Sequence, residues 1–156
     1  MSHQHTLSSL SDREAITDAV YRALLGFDHN DAEIFNTAFI ADQQSMIFSM
    51  NGQEIHGLDK VRSQLLDFVG PMDTTHMISN VRVDVKGGAE TAQLNCYALA
   101  QHCPPGKGRD VEGKKYLAAS EYWIDFVKEK DEWKIKKWVM KVIWTQGDAS
   151  VMQRPG

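Results

Sequence analysis

Cysteine is scarce in this chain of 156 residues: Cys96 and Cys103 are the only two. That is too few for a disulfide scaffold, so both are expected to be free thiols in a reducing compartment. Long apolar runs are missing as well. No stretch approaches the roughly 18 apolar residues of a membrane span, and the opening "MSHQHTLSSLSDRE" has neither the basic start nor the apolar h-region of a secretion signal. A cytoplasmic protein with no membrane partner is the expectation. Positive charge is not in excess, since 17 Lys and Arg face 21 Asp and Glu for a net charge of −4, and no nucleic-acid partner is expected. Neither C-x-x-C nor H-x-x-x-H spacing occurs, "PPGKGRD" lacks the Walker pattern, and no nucleophile elbow is present. These absences predict no metal and no cofactor.

What is present, 42% hydrophobic and 24% charged residues, suits one soluble domain. Residues 1–10 are polar and aperiodic, so they read as a flexible N-terminal arm, with "HQH" assigned to solvent rather than to metal. The domain proper is expected over 11–147, with a C-terminal tail over 148–156. Ser11 and Glu14 form a capping box ahead of the apolar stripe Ile16, Val20, Ala23, Leu24 and Phe27, predicting a helix to about Asp28. Asn30 or Asp31 caps a short second helix carrying Ile34, Phe35, Ala38 and Phe39. Asn51-Gly52 predicts a tight hairpin, and Leu58, Val61, Leu65, Leu66 and Val69 mark a third helix that Gly70-Pro71 ends.

From Thr74 onward the period becomes two, which predicts four long strands over about 75–86, 90–102, 115–128 and 132–145. Helices followed by an antiparallel meander give an α+β class, in which a strongly curved, mainly antiparallel sheet forms a cone around three N-terminal helices and leaves an internal pocket. The second long strand turns Ala92, Leu94, Cys96, Ala98, Ala100 and His102 inward, a row of small side chains that ends in an imidazole. The third turns Tyr116, Ala118, Ser120, Tyr122, Ile124 and Phe126 inward. In the last strand Trp133 and Ile135 differ in parity from Trp138, Met140, Val142 and Trp144, so a bulge is expected near Lys136-Lys137. Trp138, Met140 and Trp144 read as core or pocket wall. His76 shares parity with Ile78, Asn80, Arg82 and Asp84, opposite to Val81, Val83 and Val85, and parity alone does not place it inside.

The order "FDHND", "TTHMISNV", a strand ending in "QH", "AASEYW" and "DEWKIKKWVMKVIW" resembles the scytalone dehydratase-like and wider SnoaL-like family, which has the cone fold of the nuclear transport factor superfamily. The resemblance runs from about residue 11 to residue 147. It implies that Asp28 orients His76 as a catalytic pair, that His102 is a second pocket histidine, and that Ser120 is the pocket serine. Phe27 and Phe48 stand where the dehydratase has the two tyrosines that hold its catalytic water, and Tyr122 stands in place of its pocket asparagine. With Trp144 these residues make the expected substrate-binding set. The departures imply a substrate other than scytalone.

Each residue also has a plainer role. Asp28 could cap the next helix, His76 could bond to Thr74 or Thr75, His102 could end a strand before Pro104, and the hydroxyls of Ser120 and Tyr122 could bond to backbone. Two functions follow. One is a lyase (dehydratase) or an isomerase or cyclase acting on a small apolar carbonyl compound, a polyketide-type intermediate of secondary metabolism. The other is a non-catalytic small-molecule binding or oligomerisation module on the same fold. A homo-oligomer, dimer or trimer, is expected because Val81, Val83 and Val85 would be exposed if His76 faces inward.

Overall fold

The computed structural model describes residues 2–155. Helix α1 (Asp12–Asp28) begins at Ser11, whose hydroxyl oxygen accepts from the Glu14 amide while the Glu14 carboxylate accepts from the Ser11 amide. The expected capping box is therefore formed. Helix α2 (Ala32–Thr37) is capped by Asp31, whose carboxylate accepts from the Glu33 and Ile34 amides. The two helices meet closely at Gly26, where an added Cβ would lie 2.6 Å from the Cβ of Phe35. Any larger residue would push α2 off the core.

Strands β1 (Ile47–Met50) and β2 (Gln53–His56) flank Asn51 and Gly52, which both take positive φ as a tight hairpin turn requires. The third helical segment is not one continuous α-helix. It runs as α3 (Leu58–Val61), a π-turn over Arg62–Leu66, and α4 (Asp67–Val69). The wider turn absorbs the adjacent pair Leu65 and Leu66, which a regular helix would place about 100° apart, and both are buried.

Four long strands follow: β3 (Asp73–Asp84), β4 (Thr91–Cys103), β5 (Tyr116–Glu129) and β6 (Glu132–Gly147). The sheet order is β2-β1-β6-β5-β4-β3, antiparallel throughout except where β1 runs parallel to β6. It stays open, with β2 and β3 at its edges, and curves around α1, whose apolar stripe of Ile16, Val20, Ala23 and Leu24 is buried. The α+β cone is thus the observed architecture.

Three bulges decide which side chains face inward. The expected one in β6 lies at Lys136, between the pairs Phe126–Ile135 and Asp125–Lys137. A second, in β3, lies between Ser79 and Arg82, where Asn80 has a φ of 53°. Before it His76 and Ile78 face the interior; after it Val81, Val83 and Val85 do, packed against the core. The expectation that inward-facing His76 leaves these valines exposed is therefore wrong, because the extra residue reverses parity. The third bulge falls at Ile143, between the pairs Ser120–Val142 and Ala119–Trp144. It turns Trp144 to the convex face, where the side chain is 48% exposed.

Beyond Gly147 the chain folds back, with Asp148 capping a 3₁₀ turn over Ala149–Met152 and Val151 buried. Among the described residues no helix is long and apolar enough to cross a membrane.

Candidate active site

A cavity of about 350 Å³ lies between the helices and the concave face of the sheet. Its wall includes Phe27 from α1, Phe48 from β1, His76 from β3, His102 from β4, Ser120 and Tyr122 from β5, and Trp138 from β6. Seven of the eight expected site residues therefore converge. Asp28 stands behind His76 in contact with it, and Trp144 is the exception, carried outward by the Ile143 bulge.

Asp28 ends α1, where a negative charge opposes the helix macrodipole. It does not cap α2, a role that Asp31 fills. Its carboxylate accepts three hydrogen bonds instead: from the Thr74 hydroxyl at 2.8 Å, from the His76 amide at 3.0 Å, and from His76 Nδ1 at 2.6 Å. Burial works to raise its pKa, but the hydrogen bonds from His76 and the electrostatic attraction of that ring, with the Thr74 hydroxyl, outweigh that and hold the carboxyl below its ordinary value. A carboxylate can only accept, so Nδ1 carries the hydrogen and Nε2 is the free, basic nitrogen. The two side chains are 9% and 13% exposed, a setting in which the pair is shielded without being sealed.

The lowered pKa links Asp28 to folding. Its carboxyl binds a proton less readily folded than unfolded, so the stabilisation is complete above the unfolded value of roughly 3.9 and is lost as pH falls through the folded value. An Asp28→Asn variant is therefore expected to show a shallower loss of stability in acid than the wild type, measured by urea denaturation at a series of pH values. Parallel curves would refute this.

His102 is edge-on to His76, with ring centroids 5.7 Å apart at 83°. Burial lowers its pKa, and the nearby His76 lowers it further, against the raising effect of its bond to the Tyr116 carbonyl. Its Nδ1–H donates to that carbonyl at 3.1 Å, leaving Nε2 as an acceptor. The Tyr122 phenol is pushed up by burial and stays protonated, a donor in the wall. Cys96, on the same inward row as Ala98, is buried and its thiol is pushed up to about 12, so it is not a nucleophile.

Several wall residues were not expected. Tyr116, expected to face inward but not among the expected site residues, lines the cavity, and behind the wall Thr74 bonds to Asp28 rather than to His76. Met152 and Arg154, in the segment read as a tail, reach the cavity as well. Arg154 lies over the Phe68 ring at 4.7 Å and donates to the Gln64 carbonyl; nothing local in the sequence signals that return. Among the described residues, the side chains that converge closely enough to hold a metal ion are His5, Asp31 and Glu33, with ligand atoms within 4.8 Å of one another. They do not line the cavity, and the Asp31 carboxylate is engaged as a helix cap.

The arrangement offers one oriented base, a neutral imidazole, a serine hydroxyl and a phenol around an apolar space. The SnoaL-like domain family matches residues 8–139. Terrestric acid biosynthesis cluster protein E of Penicillium crustosum is 37% identical over 145 residues, covering 92% of this chain and 90% of that protein. Among solved structures, a scytalone dehydratase candidate from Novosphingobium aromaticivorans superposes with a TM-score of 0.69 at 21% identity, covering 85% of this chain and 84% of the other. A hexachlorocyclohexane dehydrochlorinase, LinA-type3, from Novosphingobium barchaimii gives 0.69 at 18% identity over 92% and 94% of the two chains. At these identities the structural likenesses establish the shared fold.

Proposed function

Because the chain belongs to the SnoaL-like domain family, we propose that it is a cofactor-independent acid–base enzyme, a dehydratase, isomerase or cyclase, acting on a small apolar carbonyl compound. The observation that carries this is the Asp28–His76 contact at the wall of the cavity between the helices and the sheet. A binding module gains nothing from holding a carboxylate against an imidazole. The relative in a terrestric acid biosynthesis cluster supports an intermediate of secondary metabolism, of polyketide type, as the substrate.

His76 Nε2 takes a proton from the carbon next to the substrate carbonyl, and the C–H electron pair moves into an enolate. The imidazolium that results is stabilised by Asp28. Hydroxyl donors on Ser120 and Tyr122 stabilise the enolate oxygen, often the larger contribution, while the free Nε2 of His102 accepts from a substrate hydroxyl. The imidazolium then protonates a hydroxyl on the next carbon, whose C–O bond breaks to release water and leave a double bond. Where no such hydroxyl exists, the proton returns to a different carbon and the product is an isomer.

Proton abstraction is testable before the substrate is identified. With trans-decalin-1,5-dione in D₂O, the wild type is expected to exchange the hydrogens beside the carbonyls for deuterium faster than buffer does, as followed by NMR. A His76→Ala variant should not. Equal rates for the two proteins, or a wild type no faster than buffer, would refute the proposal.

Self-association belongs to the same reading, on a surface other than the one the valines suggested. Met77 pairs with Leu99, Leu99 with Ala119, and Ala119 with Trp144, an apolar row across four strands of the convex face. Tyr97, Trp123 and Ile143 on the same strands are exposed as well. Such a surface finds a second copy more readily than it stays wet. Light scattering at micromolar concentration is expected to show more than one chain per particle, and a Trp144→Glu variant to shift it toward the monomer. A monomeric wild type would count against this.

A further inference from the structure

Trp138 occupies the end of the cavity away from His76. His76 pairs with Ala100, and Ala100 with Ala118, whereas Trp138 pairs with Phe48 and Ile124, and Ile124 with Leu94. Leu94 and Ala100 are six residues apart on β4, roughly 20 Å along the strand at about 3.3 Å per residue. The indole spans part of that length, edge-on to Tyr122 with centroids 5.0 Å apart and 5.9 Å from the Phe48 ring. It lines the cavity and is 2% exposed.

Its N–H is the unusual feature. Among the described residues it is a buried side-chain donor without any hydrogen-bond partner. The other deeply buried tryptophan is treated differently, since Trp133 Nε1 donates to Asp12 at 2.9 Å. An indole N–H can only donate, and a donor stripped of water favours any acceptor brought to it. Because Trp138 is part of the wall of a ligand-sized cavity, a bound ligand is the nearest source of such an acceptor.

We propose that Trp138 is a substrate-positioning residue whose indole N–H holds an acceptor oxygen at the far end of the substrate. The substrate is then a carbonyl compound of about bicyclic size with a second oxygen function, one oxygen activating the carbon that His76 deprotonates and the other held by Trp138. This inference rests on the reading of His76 as the base and adds the far-end requirement to it.

The test reads binding, not turnover. trans-Decalin-1,5-dione carries carbonyls at opposite ends; naphthalene has a similar frame with no oxygen. Trp138→Phe keeps an aromatic wall and removes the donor. It is expected to weaken the dione by roughly tenfold, the value of one hydrogen bond, and to leave naphthalene within about twofold. In ¹⁵N-labelled wild type the Trp138 indole resonance, assigned by its loss in Trp138→Phe, should move downfield with the dione and not with naphthalene. The proposal is overturned if the dione fails to bind at millimolar concentration, if both ligands weaken alike, or if the indole signal ignores the dione. His76→Ala should show the same indole shift, so a failure of the base and a failure of the far-end contact give different results.

Discussion

Replacing His76 by alanine is expected to lower turnover by roughly 10²–10⁴-fold while changing ligand affinity by less than about tenfold. The split follows from where the ring sits. Its Nδ1 faces Asp28 and only the far nitrogen meets the cavity, so the ring contributes one edge among the many apolar contacts that hold a ligand. Removing it leaves the Asp28 carboxylate still accepting from the Thr74 hydroxyl and the residue 76 amide. A buried charge with two remaining donors is a weaker disturbance than one left with none. The variant should therefore fold, bind and fail to turn over. Added imidazole, small enough for the vacated space, should restore part of the rate. An equal fall in affinity and turnover would favour the binding-module reading and sink the enzyme reading.

Asp28→Asn is expected to be nearly as damaging, by about 10²–10⁴-fold, although it changes neither size nor shape. The carboxylate accepts three hydrogen bonds and donates none. An amide offers one oxygen and one NH₂ to the same three donors. If the oxygen stays on the His76 amide, the NH₂ faces the ring, and the comfortable response is for Nδ1 to lose its hydrogen and accept. The proton then sits on Nε2, and the nitrogen that should take a proton already has one. The loss should fall on the rate and spare affinity, which the same titration with trans-decalin-1,5-dione measures. Thr74→Val, which removes one of the three donors and leaves the tautomer alone, should be much milder. A Thr74→Val loss as large as that of Asp28→Asn would show that the carboxylate's position matters and its charge does not.

Much of this molecule can be read before folding it, where the signal is local. The Ser11–Glu14 box, the Asp31 cap and the Asn51-Gly52 turn depend on a few neighbouring residues, and all three form. The four long strands lie within about two residues of their expected limits because alternation over many residues leaves little freedom. The inward rows of β4 and β5 follow from the same alternation. Only β6 showed a parity break strong enough to reveal its bulge, at Lys136. The bulges at Asn80 and Ile143 have no comparable mark. Asparagine tolerates positive φ, but so does it in many turns, and Ile143 looks like any strand residue. These two misread positions account for the exposed valines and the inward Trp144 of the sequence reading. The meeting of Asp28 with His76 came from resemblance, since a separation of 48 residues leaves no local trace. The return of Met152 and Arg154 to the cavity depends on how the whole cone closes, and for that reason only the fold reveals it.

The irregularity at Asn80 makes β3 a strand whose two halves answer to different masters. Its first half is anchored through Asp28, its second through the valines packed on α1 and its neighbours. Drift by substitution can be absorbed along such a segment, but drift in length cannot. Loss of one residue there would force a choice between the imidazole and the hydrophobic interior, so deletion of Asn80 should be more harmful than any single exchange at the same place.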